Sequence, residues 1–272
     1  MPELPEVETV ARQLAPLTEG QTIRAVKDLD PLLRFTNHTN RIKGRVIGRI
    51  RRVGKQLSIR LDDPRGGDPL WLAVHLRMTG RMICFEPGQE PPNDGKHMRL
   101  RILLDHGFIG FIDPRRFGTL KLCRTESEMA PPGDEPLARS FTVKRLEELL
   151  QNAKGEIKPW LLRQDKITGL GNIYASEILF TAGIHPRRIA GSLNQKEIAR
   201  LHNATVKTLR LAIKHCGTTV SDFQAAHQMT GSYQNLLLVY KRHGQPCKKC
   251  RAPIQRIVQQ QRSTFFCAKC QS

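Results

Sequence analysis

Apolar residues recur along this chain at two different periods, and the change of period divides it. After Pro5, residues Val7, Val10, Ala11 and Leu14 fall at i, i+3, i+4 and i+7, the spacing of one helix face, and Gly20 ends the run. From there to about residue 124 the period is two. Leu57, Ile59 and Leu61 alternate with polar partners, as do Met98, Leu100 and Ile102 and then Leu120 and Leu122, and Gly and Asp-Pro pairs punctuate the runs. A helix followed by half-buried strands predicts a β-rich domain over residues 1–124, built as a two-layered sandwich.

Residues 125–141 break the pattern: Glu126, Glu128, Pro131, Pro132, Gly133, Asp134, Glu135 and Pro136 leave little to bury, which predicts a linker. Beyond it the helical period returns. Val143, Leu146, Leu149 and Leu150 mark one helix, and Ser192-x-x-Gln195 resembles a capping box opening a long one through Ile198, Leu201, Thr205, Leu209 and Ile213. Between them Gly169-Leu170-Gly171-Asn172 is a glycine-rich turn that opens another helix. The expected class is α+β, with a helical domain over 142–236 and a cysteine module over 237–272.

That module carries two knuckles, Cys247-x2-Cys250 and Cys267-x2-Cys270, sixteen residues apart. Each tight turn offers two thiolates to one ion, so the spacing predicts a tetrahedral four-thiolate site for one structural zinc, with no position left for water. No Asp or Glu follows Asp222, whereas Lys241, Arg242, Lys248, Lys249, Arg251, Arg256, Arg262 and Lys269 surround the knuckles. A metal-stapled module with that cationic skin reads as a nucleic-acid grip.

The whole chain agrees, since 44 Lys plus Arg against 25 Asp plus Glu leave a formal charge of +19. Such a charge favours a polyanion, with affinity that falls steeply as salt rises. An anionic membrane is the competing partner, but no apolar run approaches the roughly 20 residues a bilayer span needs. The start Met1-Pro2-Glu3-Leu4 also carries no signal-peptide pattern. A cytoplasmic, nucleoid-associated protein is expected. Cys84, Cys123 and Cys216, the odd remainder after four metal ligands, fit a reducing compartment.

The amino terminus is the second place where chemistry concentrates. Removal of Met1, which a small second residue permits, would make Pro2 a free secondary amine, and an α-amino group titrates near pH ~8, leaving a reactive neutral fraction. Attack on an aldehydic carbon such as C1′ of deoxyribose gives an iminium with no N–H to lose, which acts as an electron sink. Glu3 and Glu6 supply carboxylates for proton transfer. Taken alone, the hexapeptide reads more simply as an ordinary start, a proline at N1 with acidic cap residues.

Several motifs extend the pattern. The start Pro2-Glu3-Leu4-Pro5-Glu6-Val7-Glu8-Thr9 closely resembles that of the formamidopyrimidine-DNA glycosylases. Gly54-Lys55, His75-Leu76-Arg77-Met78-Thr79-Gly80, Asp113-Pro114-Arg115-Arg116-Phe117-Gly118, Gly169-Leu170-Gly171-Asn172-Ile173-Tyr174-Ala175 and Gln261-Arg262-Ser263-Thr264-Phe265-Phe266-Cys267 resemble the same family in the same order, across nearly the full chain. The resemblance implies excision of oxidised purines, 8-oxoguanine and formamidopyrimidines, from double-stranded DNA, followed by strand cleavage at the abasic site. It implies a base flipped out of the stack, with Met78, Arg115 and Phe117 as the wedge that fills the hole. Pro2, Glu3, Lys55 and Arg262 become the catalytic set, and Lys55, Asn172 and Arg262 the residues that pin phosphates. His97 and Arg116 join the DNA contacts, and Glu6 lines the base pocket. By the family's fold, the segments flanking residues 169–172 form a helix-two-turns-helix unit, Arg262 lies on a zinc hairpin, and the site lies in a cleft between the two domains. A monomer is expected.

The chain also departs from the family's pattern. Arg77 stands where Gly is usual, Ile112 where Asn commonly precedes Asp-Pro-Arg-Arg, and Met98-Arg99 follow Lys96-His97 where an Asp-His pair is common. Arg163 replaces the usual Asp before Gln164, and Ser221 a frequent basic residue. Residues 228–235, Gln-Met-Thr-Gly-Ser-Tyr-Gln-Asn, occupy the place of a lesion-cupping loop that usually reads Gly-Tyr-Phe, so lesion preference stays open. Two other readings remain: an endonuclease VIII-like enzyme for oxidised pyrimidines, against which Leu4-Pro5 speaks, and a non-catalytic zinc protein that binds nucleic acid.

Overall fold

Helix α1 (Leu4–Thr18) buries the stripe its spacing predicts, with Val7, Val10, Ala11 and Leu14 each at most 4% exposed. The computed structural model describes residues 1–33, 35, 38–91, 95–218 and 231–272. Following α1 come β1 (Ala25–Asp28), the short α2 (Thr39–Ile42), β2 (Val46–Val53), β3 (Gln56–Asp62), β4 (Leu70–His75), β5 (Arg81–Phe85), β6 (Met98–Leu103), β7 (Phe108–Ile112) and β8 (Thr119–Cys123). They form two antiparallel sheets, ordered β2-β3-β4-β8 and β1-β6-β7-β5. One apolar cluster takes Leu57, Ile59, Leu61, Leu72 and Val74 from the first sheet, Met82, Leu100, Ile102, Ile109 and Phe111 from the second, and the α1 stripe. Burial of that shared layer from water is what holds a sandwich together.

Register gathers the loops of interest at one rim. Gln56 pairs with His75, and His75 with Thr119; Arg81 and Met98 both pair with Ile112. Lys55, the 76–80 loop, His97 and the 113–118 loop therefore lie at the same end of the sandwich. A bulge modifies the alternation there. The β6–β7 register shifts between Met98 and Leu100, so Met98 leaves the inner face and packs with Phe85 and Ile112 in a separate cluster. A strict period of two places Met98 on the face of Leu100 and Ile102, and the bulge is what separates them.

The structure divides into Met1–Ala130 with the described part of Cys216–Ser232, and Pro131–His215 with Tyr233–Ser272. The second unit contains α3 (Val143–Leu150), α4 (Ile157–Leu161), α5 (Asn172–Ala182), α6 (Gln195–Lys214) and the hairpin of β9 (Gln255–Gln259) and β10 (Arg262–Phe266). Its acidic entry segment is tied down: the Asp134 carboxylate accepts from Arg145 on α3 at 3.0 Å, and Thr168 N–H donates to the Asp134 carbonyl.

The capping box of α6 sits two residues beyond the one the sequence suggests. Asn194 Oδ1 accepts from Glu197 N–H at 3.0 Å and Glu197 Oε2 from Asn194 N–H at 2.9 Å. Ser192 instead lies in a 3-10 turn, its hydroxyl donating to the Ile189 carbonyl. Both Asn and Ser are good caps, and the backbone that turns extended at Asn194 decides between them. Asn194→Ala should lower unfolding stability by about 1 kcal/mol, while Ser192→Ala stays within about 0.5 kcal/mol of the parent. Denaturant midpoints of the two variants check the assignment.

Candidate active site and nucleic-acid interface

The first turn of α1 concentrates carboxylates beside Pro2. Pro2 is buried, Met1 is exposed, and Glu3 and Glu6 are 3% and 2% exposed. Glu3 and Glu6 close a capping box, with Glu3 N–H donating to Glu6 Oε2 at 2.9 Å. Glu6 Oε1 accepts from the N–H of Thr218 at 2.7 Å and from its hydroxyl at 3.1 Å. Gly217 makes this approach possible: its φ is +74°, and a β-carbon there would stand 2.6 Å from Glu6 Oε1. Anionic groups are favoured at a helix N-terminus, where backbone N–H groups lack partners. Glu6 is thus anchored on two sides, within the sandwich unit.

Lys55, 9% exposed, occupies the two-residue turn joining β2 to β3. Gly54 precedes it at φ +61°, the conformation a type II′ hairpin requires at its first central residue. Arg52 braces this turn, donating to the Gly54 carbonyl at 3.1 Å and to Glu8 of α1 at 3.1 Å. The rim therefore stays in register with the helix that presents Pro2.

Asp113 organises the remaining rim. Its fully buried carboxylate accepts from the Thr79 hydroxyl at 2.5 Å, Arg115 N–H at 3.2 Å and Gly118 N–H at 2.7 Å. Its own N–H donates to the His97 carbonyl at 2.9 Å, and its carbonyl accepts from Arg99 at 2.8 Å. Two loops hang from this residue. Each presents a large apolar side chain to solvent, Met78 at 47% and Phe117 at 48% exposed, and the Arg115 guanidinium lies 4.6 Å over the Phe117 ring. Exposed Met and Phe on pinned loops are suited to insertion between bases.

Arg116 behaves differently from Arg115. Its backbone is left-handed at φ +56° and its guanidinium donates to Asp30 at 2.7 Å. Burial would raise the Asp30 pKa, but the Arg116 and Leu32 hydrogen bonds and the charges of Arg116 and Arg99 together pull it below the usual carboxylate range. Arg99, a departure from the family's pattern, is an internal strut between Asp113 and Asp30. His75, named in the sequence only as part of a motif and given no role there, stands across from Gln56 and accepts from Arg77 N–H at 3.0 Å. Burial, then the charges of Arg77 and Lys55, hold it down to about 4.

In the second unit Lys158 was equally invisible in the sequence. It is completely buried on α4, and its ammonium donates to Asn172 Oδ1 at 2.5 Å, Thr264 Oγ1 at 2.7 Å and the Ser263 carbonyl at 3.2 Å. Asn172, the first residue of α5, donates to the same Ser263 carbonyl at 2.9 Å. One hydrogen of its amide is thus committed, and the other is available beside the helix N-terminus. Arg262 precedes Ser263, is exposed and makes no ion pair among the described residues. Lys158 therefore brings two predicted phosphate contacts, Asn172 and Arg262, together. Gln164 shapes the turn before α5 by accepting from Gly169 N–H and donating to the Leu170 carbonyl. Arg163 is engaged in an exposed pair with Asp165.

The four cysteines converge as their spacing predicts. All four sulfurs lie within 4.8 Å of one another, with Cys247 and Cys270 at 4.0 Å and Cys250 and Cys267 at 3.4 Å. Tetrahedral thiolates at about 2.3 Å from zinc stand close to these separations, so the donor set fits one structural zinc. A hydrogen bond from Ala252 heads the groups that draw the Cys250 thiol to about 7, whereas burial heads those that push Cys270 to about 12. Crowded thiols resist ionising together, and a dication relieves the conflict. The module docks on α5 through Phe180, which packs with Val239, Ile254 and Phe265. Glu177, buried on α5, accepts from the N–H groups of Leu238, Val239 and Tyr240 at 2.8–3.0 Å. Ser221 and residues 228–230 of the altered loop lie outside the described residues. No helix among the described residues is long and apolar enough to cross a membrane.

Comparison with known proteins gives this geometry its setting. Residues 1–120 match the formamidopyrimidine-DNA glycosylase N-terminal domain, residues 133–224 the H2TH domain of the same enzymes, and residues 244–272 a zinc finger found in FPG and IleRS. The chain is 40% identical to the formamidopyrimidine-DNA glycosylase of Chloroflexus aurantiacus, covering all of this chain and 98% of that one. It is 38% identical to that of Pectobacterium carotovorum over the full length of both. The crystal structure of the MutM (FPG) protein from Thermus thermophilus superposes with a TM-score of 0.87 at 37% identity, covering 99% of this chain and 98% of that chain. A Lactococcus lactis Fpg complex with abasic-site DNA gives a TM-score of 0.88 at 35% identity, covering 99% of each. A sandwich fed by an acidic N-terminal helix, a helix-two-turns-helix unit and a four-cysteine finger together define a class of DNA glycosylases. The chain belongs to the formamidopyrimidine-DNA glycosylase family.

Two measurements check the site. Purified protein should contain one zinc per chain, and Cys267→Ser should lose it and unfold the hairpin that carries Arg262, as read by metal analysis and DNA affinity. The second concerns His75, which binds its proton near 6.5 when unfolded and at about 4 when folded. The unfolded chain then holds more protons between those values, so stability should fall as pH drops from about 6.5 to about 4. His75→Gln should flatten the fall within that window.

Proposed function

We infer that this protein is a base-excision repair enzyme with DNA-formamidopyrimidine glycosylase and abasic-site lyase activities, acting on oxidised purines in double-stranded DNA. The observation that carries the mechanism is the pairing of Pro2 with Glu3 and Glu6 at the start of α1 in a member of this family. After loss of Met1, the Pro2 nitrogen attacks C1′ as the C1′–N bond to the damaged base breaks and the base leaves with the bonding pair, taking a proton. The sugar ring opens to an iminium, with Glu3 moving the proton. Loss of a C2′ proton expels the 3′ phosphate, and a second elimination expels the 5′ phosphate, leaving a one-nucleotide gap.

Lys55, Asn172 and Arg262 are assigned to the phosphates around the lesion; Met78, Arg115 and Phe117 to the space the flipped base vacates; His97 and Arg116 to further DNA contacts; and Glu6 to the base pocket. The zinc serves the DNA grip, since four thiolates leave no coordination site for chemistry. The enzyme is proposed to work as a monomer at the cytoplasmic nucleoid.

Borohydride trapping on a duplex containing 8-oxoguanine tests the reading. Reduction during turnover should fix the protein to DNA through residue 2, and Pro2→Gly should abolish most of the product. Retained Met1 in the intact mass, with no trapping, would favour a non-catalytic binder; a cross-link at Lys55 would overturn the Pro2 assignment; a preference for oxidised pyrimidines would favour the endonuclease VIII-like reading. Arg115→Ala should reduce excision from duplex DNA while sparing cleavage at preformed abasic sites, where no base remains to be extruded.

A further inference from the structure

Arg77 lies in the loop between the end of β4 and the exposed Met78, with its backbone in the left-handed region at φ +54°. Residues with a β-carbon enter this region reluctantly, and such strain gathers where function demands it. Arg116, on the neighbouring loop, has a similar φ but an internal reason for it, its bond to Asp30. No side-chain bond of that kind accompanies the left-handed backbone of Arg77. Its side chain is exposed and forms no ion pair among the described residues.

Its backbone, by contrast, is committed. Arg77 N–H donates to His75 Nδ1 at 3.0 Å, which makes that nitrogen an acceptor and leaves the proton of the neutral ring on Nε2. The charges bearing on His75 come from Arg77 and Lys55, both cations, and with burial they keep the ring neutral at physiological pH. Strand register sets Lys55 beside Gln56, the partner of His75, so the ammonium, the imidazole and the guanidinium share one rim. A neutral donor with cationic groups on either side is a place suited to a phosphate.

Resting on the repair function inferred above, we propose that Arg77 is a positioning residue of the wedge loop, its guanidinium holding a DNA backbone phosphate next to the one held by Lys55 and so fixing the loop from which Met78 enters the duplex.

The test uses the full zinc-loaded chain, a duplex carrying a tetrahydrofuran abasic analogue, and the variants Arg77→Gly, Arg77→Asn and Arg77→Lys. Gly and Asn accept the left-handed backbone and remove the charge. Both should weaken binding about tenfold at low salt and reduce the slope of log affinity against log salt by about 1. Arg77→Lys should keep the slope while losing part of the affinity, because it lacks the planar fork. Thermal unfolding of Arg77→Gly should occur at or above the parent temperature, and its His75 ring should titrate nearer the ordinary value by NMR. An unchanged salt slope in the Gly and Asn variants, with trapping at Pro2 intact in the parent, would overturn the proposal. Failure of the parent to trap would instead overturn the repair mechanism, and the slopes can be measured in either case.

Discussion

The buried carboxylate of Asp113 is the constraint on which the working rim depends. A carboxylate removed from water is costly unless its lone pairs are taken up by donors. Here the donors are Thr79 from one loop and the backbone of Arg115 and Gly118 from another, so satisfying the charge fixes both loops at once. The same residue's main chain holds the His97 carbonyl and the Arg99 side chain. Met78, Arg115 and Phe117 can stay exposed, with only the stacking of Arg115 on Phe117 between them, because the segments that carry them end on a fully satisfied internal carboxylate. Rigid support beneath exposed side chains suits them to insertion into a stacked duplex.

The second unit reaches the same end with the opposite sign. Lys158 is a buried cation that donates to acceptors on α5 and β10, residues distant in sequence that must be in place for its charge to be tolerated. Glu177 does the equivalent for the chain entering the zinc module. Burial dominates and raises its pKa, although three backbone N–H groups oppose that shift. Buried ionic groups add little net stability compared with apolar packing, but removing one partner leaves an uncompensated charge and is strongly destabilising. They select one arrangement over near alternatives. In this protein the arrangement they select is the placing of Asn172 next to the strand of Arg262.

Much of this was legible in the sequence because it is local. The helix stripe at Val7, Val10, Ala11 and Leu14, the strand alternation of β3 and the two CxxC turns each depend on neighbours a few residues away. What was hidden depends on contacts across the chain. Thr79 and Asp113 are 34 residues apart, Arg116 and Asp30 are 86 apart, and Lys158 meets Thr264 from 106 residues away. No spacing rule finds such pairs. Lys158 even reads as an ordinary surface lysine between Ile157 and Pro159, and only its burial shows otherwise. The bulge that turns Met98 outward and the preference for Asn194 over Ser192 as a cap were hidden for a related reason: period and cap propensity name candidates, and the backbone path chooses among them.

The distribution of charge connects stability to function. Several of the few acidic residues are spent internally: Glu3, Glu6, Asp30, Asp113, Glu177 and Glu197 are all buried, each holding a turn, a cap or an arginine. Glu6, Asp113 and Glu177 accept from backbone N–H groups, whereas Asp30 and Glu197 also hold Arg116 and Arg188. Within a formal excess of 19 positive charges, Arg77 and Arg262 are exposed and make no ion pair among the described residues. Such an arrangement leaves the free protein with unrelieved repulsion and makes a phosphate backbone the partner that relieves it.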